Sequence, residues 1–193
     1  MPRVKLFDEQ EVLQKSINLF WEKGYNKTSI QDLVNHLGIN RGSLYDTFGG
    51  KRELFDKALN QYLITNNNGL IAFFDVQKSV KEGFEKFFEI PLDAAICENG
   101  IKGCFVVNTI TEMLPKDEVL QIVLENNKLK IESIFCKFLE KGVASGEIDK
   151  SKNIKEIAAF LYALLNGVLV TVKINSNKKE LLNIVKTGLM ILG

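Results

Sequence analysis

Four side chains that can donate hydrogen bonds lie close together, at Arg41, Ser43, Tyr45 and Lys51. Guanidinium and ammonium groups bind phosphate, arginine also pairs with the edge of guanine, and hydroxyl groups bind either kind of acceptor. Gly42 lies among them and leaves room for the backbone to come close to a partner. The chemistry that this stretch favours is therefore nucleic-acid binding.

Catalytic and metal-binding patterns are missing from the sequence. His36 is the one histidine and is most simply a surface or packing residue, so no Ser-His-Asp set can be assembled. No pair of cysteine or histidine residues has zinc-ligand spacing, and neither a GxxxxGK[ST] nor a GxGxxG loop occurs. We expect a protein that is not an enzyme and that needs no cofactor or metal.

Two short helices joined by a glycine turn are predicted to position the donors. The first helix has four apolar residues on one face, namely Ile30, Leu33, Val34 and Leu37. Thr28 or Ser29 can cap its start, and Thr28-x-x-Gln31 has the form of a capping box. Gly38 is placed to end it in the left-handed conformation.

The second helix is predicted to begin after Asn40 and to be held by Leu44 and Phe48, which are four residues apart. A helix of about two turns is not stable alone, so these two apolar side chains must fix it. Its outward residues are Arg41, Gly42, Ser43, Tyr45, Asp46 and Thr47. The pattern is typical of a helix-turn-helix whose second helix enters the major groove.

The same segment resembles the signature of the TetR family of bacterial transcription regulators. The family pattern is hydrophobic-Ser-Lys/Arg-Gly-Thr/Ser-Leu-Tyr-x-x-Phe, with Lys and Leu at the start of the next helix. The matching residues are Ile39, Asn40, Arg41, Gly42, Ser43, Leu44, Tyr45, Phe48, Lys51 and Leu54. Asp46 and Thr47 depart from the pattern on the outward face and leave the DNA sequence open. Val34 and Leu37 replace a small alanine and change only packing.

The resemblance implies DNA contacts at a set of residues around this motif. These are Thr28, Ser29, Arg41, Gly42, Ser43, Tyr45, Thr47 and Lys51. In the family, the tyrosine hydroxyl and the lysine ammonium reach backbone phosphates. Lys51 and Arg52 occupy a first helical turn, where the helix dipole disfavours cations, and a bound phosphate would explain them. A solvated pair beside Glu53 and Asp56 is the alternative.

Overall charge gives no support for nucleic-acid binding. The 193 residues include 25 basic and 24 acidic side chains, for a net charge of +1. Residues 1–60 carry nine lysines and arginines against eight acidic residues. Affinity for DNA must then come from individually placed cations and not from a basic field.

Several features predict a cytoplasmic protein without a membrane segment. The chain begins without an apolar signal sequence, and its longest apolar stretch is interrupted by Asn166 and Gly167. Three cysteines do not form a disulfide framework. The few prolines and the repeated helical spacing predict an all-α fold of about nine helices.

Two domains are expected. Residues 1–50 form the three-helix, helix-turn-helix DNA-binding domain, and residues 51–193 form a helical domain for effector binding and dimerisation. We predict that helix four ends near residues 66–69 and that helix five spans about 76–89, with Pro91 in the loop that follows. Later helices are expected at about 116–142, 154–173 and 178–192.

The last two helices predict a homodimer. Helix eight is apolar on nearly every face, and such a helix must be covered all round. Two helices from each chain would make a four-helix interface, as the family does, whereas a single large core in a monomer is the alternative. Two-fold pairing would present two recognition helices to major grooves about 34 Å apart on a palindromic operator.

An effector cavity is predicted among helices four to eight. Its apolar candidates are Phe84, Phe88, Phe105 and Phe135, and its polar candidates are Asn108, Glu112, Tyr162 and Asn166. For the phenylalanines the alternative is a plain core, and for Asn108 it is a cap or a link between helices.

Cys104 is a further candidate. Residues 103–112 resemble a Gly-Cys-x-x-x-Asn-Thr-x-x-Glu segment of one subgroup of the family. A helix N-terminus together with Lys102 would lower the pKa of the thiol, and some relatives with this segment sense electrophiles through such a cysteine. The alternative is a small buried side chain.

The sequence as a whole favours a repressor, more than an activator, released from its operator by a small apolar or amphipathic effector that shifts helix four. Asp46 and the nearly neutral first domain support a rival, which is a helical ligand-binding or interaction protein without DNA binding. A regulator that senses electrophiles through Cys104 is the second rival.

Overall fold

The computed structural model describes residues 7–97 and 100–193, and within them the chain forms nine α-helices. Their bounds are α1 Glu9–Lys23, α2 Ile30–Leu37, α3 Arg41–Phe48, α4 Lys51–Asp75, α5 Val80–Ala95, α6 Phe105–Met113, α7 Glu118–Ser145, α8 Ile154–Thr171 and α9 Lys178–Leu189. Two-residue strands β1 (Ile96–Cys97) and β2 (Gly100–Ile101) pair antiparallel, and a 3₁₀ turn covers Met190–Leu192. The predicted all-α class is confirmed.

The chain divides into two compact units, with the division between Asn66 and Asn67 inside α4. The first unit therefore contains α1 to α3 and more than half of α4. The expected boundary near residue 50 follows the DNA-binding motif and not this packing, and it remains a prediction.

Buried apolar side chains hold the first unit together. Leu33, Leu44 and Leu54, one from each of α2, α3 and α4, have no exposed surface. Phe20 of α1 meets Phe55 of α4 edge to face, with ring centroids 5.1 Å apart. The two short helices are thus fixed from beneath by side chains of the longer ones, which supplies the stability that a two-turn helix lacks.

Phenylalanines form the centre of the second unit. Phe74 of α4 stacks on Phe138 of α7 with centroids 4.3 Å apart, and Phe84 of α5 meets Phe135 of α7 edge to face at 5.3 Å. Phe88 is also fully buried. Aromatic pairs in these geometries add to the free energy gained by burial. This cluster makes Phe84, Phe88 and Phe135 core residues.

Two predicted helix bounds are wrong. Helix α4 continues through the Asn66–Gly69 run, because Asn and Gly each cost only about 1 kcal/mol or less in a helix and the later turns are held by packing. Asn67 donates to the buried side-chain oxygen of Asn127 on α7 at 2.9 Å. Helix α5 contains Pro91, which removes one N–H donor, and its following residues Leu92 and Ala95 are buried.

A carboxylate from the turn after α7 caps α5. Glu147 accepts hydrogen bonds from the Ser79 hydroxyl at 2.7 Å and from the backbone N–H groups of Val80 and Lys81 at 2.7 and 2.8 Å. Burial acts to raise the pKa of Glu147, but these three hydrogen bonds and the Lys81 charge outweigh it and leave the pKa below its usual value. Glu147 thus fastens two segments that are far apart in sequence.

We expect Glu147→Ala to lower the free energy of unfolding by about 1 kcal/mol at neutral pH, since it removes a helix cap that is partly open to solvent. Because the folded-state pKa is depressed, this contribution is complete above the unfolded pKa of about 4.3 and is lost as the pH falls through the folded value. Urea unfolding of wild type and Glu147→Ala gives the free energy of unfolding at pH 7 and at pH 3. Glu140→Ala, on the exposed side of α7, is the control, and a difference between wild type and Glu147→Ala that does not shrink between pH 7 and pH 3 contradicts the account.

Within residues 7–97 and 100–193, α8 is the one helix whose length and apolar composition would suffice to cross a membrane. One such helix is weak support for a membrane span, because core helices of water-soluble proteins share these properties. Only 28% of the helix is buried within the single chain. Seven of its 18 residues are exposed, and Phe160 is an apolar side chain among them.

Candidate nucleic-acid interface

Helix α2 begins at a capping box, but with different residues from those predicted. Ser29 is the N-cap residue, and its hydroxyl accepts a hydrogen bond from the Asp32 N–H group at 3.1 Å. In return, the Asp32 carboxylate accepts from the Ser29 N–H group at 2.8 Å. Gln31 instead donates to Asn35. Thr28 is 1% exposed, and its hydroxyl donates to the Gly24 carbonyl at 2.6 Å. The Thr28 capping box is therefore wrong, and this side chain is not available at the surface.

Asp32 also pairs with Lys23 of α1, with 2.7 Å between ammonium and carboxylate. Lys23, followed by the hydroxyl and the N–H group of Ser29, holds the pKa of Asp32 far below its usual range. The Asp32 carboxylate is therefore ionised at any physiological pH. Since Lys23 is committed to this pair, the cations offered by the motif must come from other residues.

The turn and the second helix follow the prediction. Gly38 takes the left-handed conformation with φ of 68°, and the Asn40 side chain accepts from the Ser43 N–H group at 2.8 Å. Leu44 and Phe48 are 0% and 3% exposed. Helix α3 is thus clamped by these two side chains, and its orientation is set by α2.

The opposite face of α3 is open to solvent. Arg41, Gly42, Tyr45 and Asp46 are exposed, whereas Ser43 and Thr47 are half-buried at its edges. The Arg41 guanidinium lies 5.9 Å from the centroid of the Tyr45 ring, which is 43% exposed. This exposed side of α3 is called the α3 face below.

A side chain at Gly42 would be tight against the residue that caps α3, but nothing else within the chain crowds this position. A Cβ atom built at this position would meet one atom within 4 Å, the Asn40 side-chain oxygen at 3.3 Å. The backbone φ of Gly42 is also not in the left-handed region. Close approach of a partner to Gly42 therefore stays a prediction.

The first turn of α4 brings a cation beside the α3 face. The Lys51 ammonium lies 4.2 Å from the centroid of the Tyr25 ring, a favourable cation–π distance. Arg52 is engaged differently, because its Nε contacts both carboxylate oxygens of Asp56, at 2.9 and 2.8 Å. The two neighbouring cations thus differ. Arg52 has an ion pair within its own helix, as the solvated-pair alternative proposed, and Lys51 rests on an aromatic ring.

Sequence reasoning missed two residues of this region. Tyr25 supports Lys51, and the signal that could have found it is an aromatic residue directly after the glycine that ends α1. Lys57 lies 3.5 Å from the Thr47 carbonyl and 5.5 Å from the centroid of the Phe48 ring. It places a cation at the C-terminal end of α3, where the helix dipole favours one.

The second unit contains a cavity of about 490 Å³, open to solvent on one side, between α6, α7 and α8. It is lined by Val107, Ile110, Thr111, Lys128, Glu132, Ala159, Tyr162, Ala163, Asn166 and Val170. Of the predicted ligand residues, only Tyr162 and Asn166 line this cavity. The Asn166 side chain donates to the Tyr162 carbonyl at 2.7 Å.

The other predicted ligand residues lie elsewhere. Phe84, Phe88, Phe105 and Phe135 are 0–1% exposed, as expected for the plain-core alternative, because the helices pack directly onto them. Glu112 is half-buried on α6 and is not among the lining residues. Asn108 donates to the Lys102 carbonyl at 2.9 Å, so it fastens the loop before α6, while its side-chain oxygen is buried without a hydrogen-bond partner.

The predicted lowering of the Cys104 pKa is wrong. Cys104 is the N-cap residue of α6, but burial raises the pKa of its thiol. The N–H groups of Val107 and Val106 and the charge of Lys173 oppose this effect without overcoming it. The nearby cation is therefore Lys173 and not Lys102. A thiol in this environment is mostly protonated at neutral pH and correspondingly less nucleophilic.

Helices α8 and α9 share an exposed apolar surface. Phe160 of α8 is 39% exposed, and Ile184 of α9 is 47% exposed. Gly188 lets α9 approach Leu164, since a Cβ atom there would lie 2.5 Å from the leucine side chain. Gly167 is exposed, and a Cβ atom there would meet nothing within 4 Å. An apolar surface of this kind on a soluble protein marks an interaction site.

Comparison with protein families gives two matches along the chain. Residues 12–58 match the model described as bacterial regulatory proteins, tetR family. Residues 88–187 match the model of a tetracyclin repressor-like C-terminal domain. The first match contains α2, α3 and Lys51, and the second contains the cavity, Cys104 and most of α9.

Individual relatives cover the whole chain. An uncharacterised HTH-type transcriptional regulator of Bacillus subtilis, YezE, is 33% identical over 193 residues, which is 100% of both chains. The HTH-type transcriptional repressor ComR of Escherichia coli is 28% identical over 190 residues, 98% of this chain and 90% of that one. The solved structure of a cysteine mutant of the TetR family regulator CifR, in complex with a 26-base-pair operator, is 26% identical with a TM-score of 0.86. It covers 99% of this chain and 100% of that chain.

Proposed function

The chain belongs to the TetR family and is a DNA-binding transcriptional regulator, and we propose that it is a homodimeric repressor released from a palindromic operator by a small effector. The α3 face is the observation that carries this proposal. It exposes Arg41, Gly42 and Tyr45 above the buried Leu44 and Phe48. Repression is favoured because ComR is named a repressor and CifR is seen bound to an operator.

The proposed DNA contacts are of two kinds. Arg41 and Ser43 would contact bases or phosphates, with Gly42 allowing the approach. Tyr45 and Lys51 would contact backbone phosphates and so fix the position of the helix on the duplex. Ser29 and Thr47 would make further DNA contacts at the edges of this surface. Thr28 is left out because its side chain is buried and its hydroxyl is engaged.

Dimerisation is proposed through α8 and α9. The exposed apolar surface of these helices and the low burial of α8 support it. Two copies of the pair would form a four-helix interface. The resulting two-fold axis would relate two α3 faces, and a palindromic operator has the same symmetry.

Release requires that the effector prefer one of two conformations, because a ligand with equal affinity for both shifts nothing. The cavity between α6, α7 and α8 is the proposed effector site. Helix α4 is linked to α7 through the Asn67–Asn127 hydrogen bond, so a movement of α7 could be passed to the helix that carries Lys51. Effector binding would thereby weaken the DNA contacts.

Two finer assignments are also proposals. The Gly-Cys-x-x-x-Asn-Thr segment, residues 103–109, would place the chain in one subgroup of the family. A cytoplasmic location would follow from the proposed role at DNA. Electrophile sensing through Cys104 is less favoured, because burial raises the pKa of the thiol.

Binding to DNA from the region upstream of the protein's own gene tests the function. In fluorescence anisotropy we expect this fragment to bind at least 1,000-fold more tightly than a shuffled fragment of equal length, the low end for specific regulators. Footprinting should show protection of a palindrome. Equal affinity for both fragments would favour the rival, a helical ligand-binding or interaction protein without DNA binding.

A further inference from the structure

The cavity of the second unit contains a carboxylate with an unused hydrogen-bonding position. Glu132 of α7 has a side chain that is 16% exposed, and its Oε1 atom is buried without a hydrogen bond. The Lys128 ammonium lies 3.1 Å from this atom, but it is not aligned as a donor. A buried acceptor left in this state is costly, so the site gains free energy if a suitable donor arrives.

The other polar groups of the cavity do not supply that donor. The Thr111 hydroxyl donates to the Val107 and Asn108 carbonyls within its own helix, at 3.0 Å each. The Asn166 side chain donates to the Tyr162 carbonyl. The Tyr162 hydroxyl interacts with the Asn166 side chain, and burial raises its pKa. Glu132 is left as the acceptor that faces the cavity.

Lys128 can leave this site at little cost. Its side chain is 46% exposed, and an incoming cation would replace it beside Glu132, so the carboxylate would not be left unpaired. The ammonium can turn to water, whereas the Glu132 side chain stays largely buried. The remaining walls are apolar, from Val107 and Ile110 on α6 and Ala159 and Ala163 on α8.

We propose that this cavity binds a small organic cation with an apolar body, such as an alkyl or arylalkyl ammonium compound, whose protonated nitrogen donates to Glu132. The volume of about 490 Å³ is within the range for drug-sized ligands. The assignment rests on the proposed effector site and names the chemical class of the effector. A carboxylate ligand is disfavoured because it would meet the charge of Glu132.

Three probes that share one apolar body test the assignment. They are 4-phenylbutylamine, 4-phenylbutanol and 4-phenylbutanoate, titrated calorimetrically into the full chain. Both the amine and the alcohol can donate a hydrogen bond to the carboxylate, but only the amine adds a positive charge beside it, so we expect the amine to bind at least tenfold more tightly than the alcohol. The carboxylate should bind more weakly than either.

Glu132→Gln keeps the size of the side chain and should reduce amine affinity at least tenfold while reducing alcohol affinity much less. Lys128→Met removes the competing ammonium and should increase amine affinity. Glu125→Gln is the matched control, since Glu125 is an exposed residue of α7 that does not line the cavity. Its affinities for all three probes should equal those of the wild type.

Several results would overturn the assignment. They are equal affinities for the amine and the alcohol, tighter binding of the carboxylate, no amine binding at millimolar concentration, or amine affinity that Glu132→Gln leaves unchanged. DNA binding by the same preparations, without any probe, reports separately on the proposed function. Loss of amine selectivity with intact DNA binding removes this inference alone, whereas a chain that selects amines without binding DNA removes the repressor.

Discussion

Gly167→Glu is expected to convert the protein to a monomer and to weaken operator binding by at least about 100-fold. The exposed surface of α8 and α9 would receive a carboxylate that cannot be hydrated inside an apolar interface. Two linked DNA-binding units gain about 10² to 10⁴ in affinity over one, and a monomer forfeits that gain. Sedimentation measures the mass, and anisotropy measures the affinity for DNA.

The fold of the single chain should survive this change. A side chain at Gly167 meets nothing within 4 Å, and glutamate forms helix better than glycine. Gly69→Glu is the matched control, because Gly69 is also exposed, helical and without neighbours at the Cβ position. Should Gly167→Glu remain a dimer, the proposed interface is incorrect; should it become a monomer with full DNA affinity, the two-fold docking is incorrect.

Lys51→Ala is expected to weaken binding to every DNA sequence by about tenfold or more and to make binding less sensitive to salt. Each phosphate contact contributes about 0.9 to the slope of log affinity against log salt concentration. A dimer that loses two such contacts should therefore show a slope smaller by about 1.8. Anisotropy titrations between 50 and 200 mM salt give both quantities for operator and shuffled DNA.

Lys15→Ala is the control for the change in net charge. Lys15 lies in the same unit and pairs with Glu11 on the exposed surface of α1, 2.7 Å away. Its loss should leave the slope nearly unchanged. A slope that is the same for Lys51→Ala and the wild type would show that Lys51 contacts no phosphate, whatever the change in affinity.

The α2–α3 segment was predictable because the residues that determine its structure lie close together in the sequence. Asn40 as a cap, Gly38 in the left-handed conformation and the i, i+4 pair of Leu44 and Phe48 all act within about ten residues. Such rules depend on helix geometry alone and not on the rest of the fold. The cap of α8 is local in the same way, because the Asn153 side chain accepts from the Glu156 N–H group three residues later.

Determinants that are distant in sequence escaped prediction. The asparagine run of α4 is a strong helix-ending signal, but its outcome is decided by packing onto α7, which begins some 50 residues later. Pro91 likewise stays inside α5 because its neighbours are buried. Local propensities amount to about 1 kcal/mol per residue, and tertiary burial exceeds them.

The candidate ligand residues show the same limit. Composition predicts that phenylalanines gather in the second unit, but it does not separate a filled core from an open cavity. Phe84 and Phe135 pack against each other, and the cavity falls between helices lined by alanine, valine and a carboxylate. Glu132 carries no sequence signal, because a glutamate on an amphipathic helix is normally solvated.

The Arg52–Asp56 ion pair has a consequence for how such a regulator diverges. While the pair holds, one cation in the first turn of α4 is neutralised by a residue that need not touch DNA. Under the proposed mode of docking, loss of the Asp56 carboxylate would add one net positive charge per chain at this end of α4 and would lengthen the time spent on non-cognate sites in a genome. A mutation outside the reading surface could then alter which promoters are occupied, without any change in the bases that are recognised.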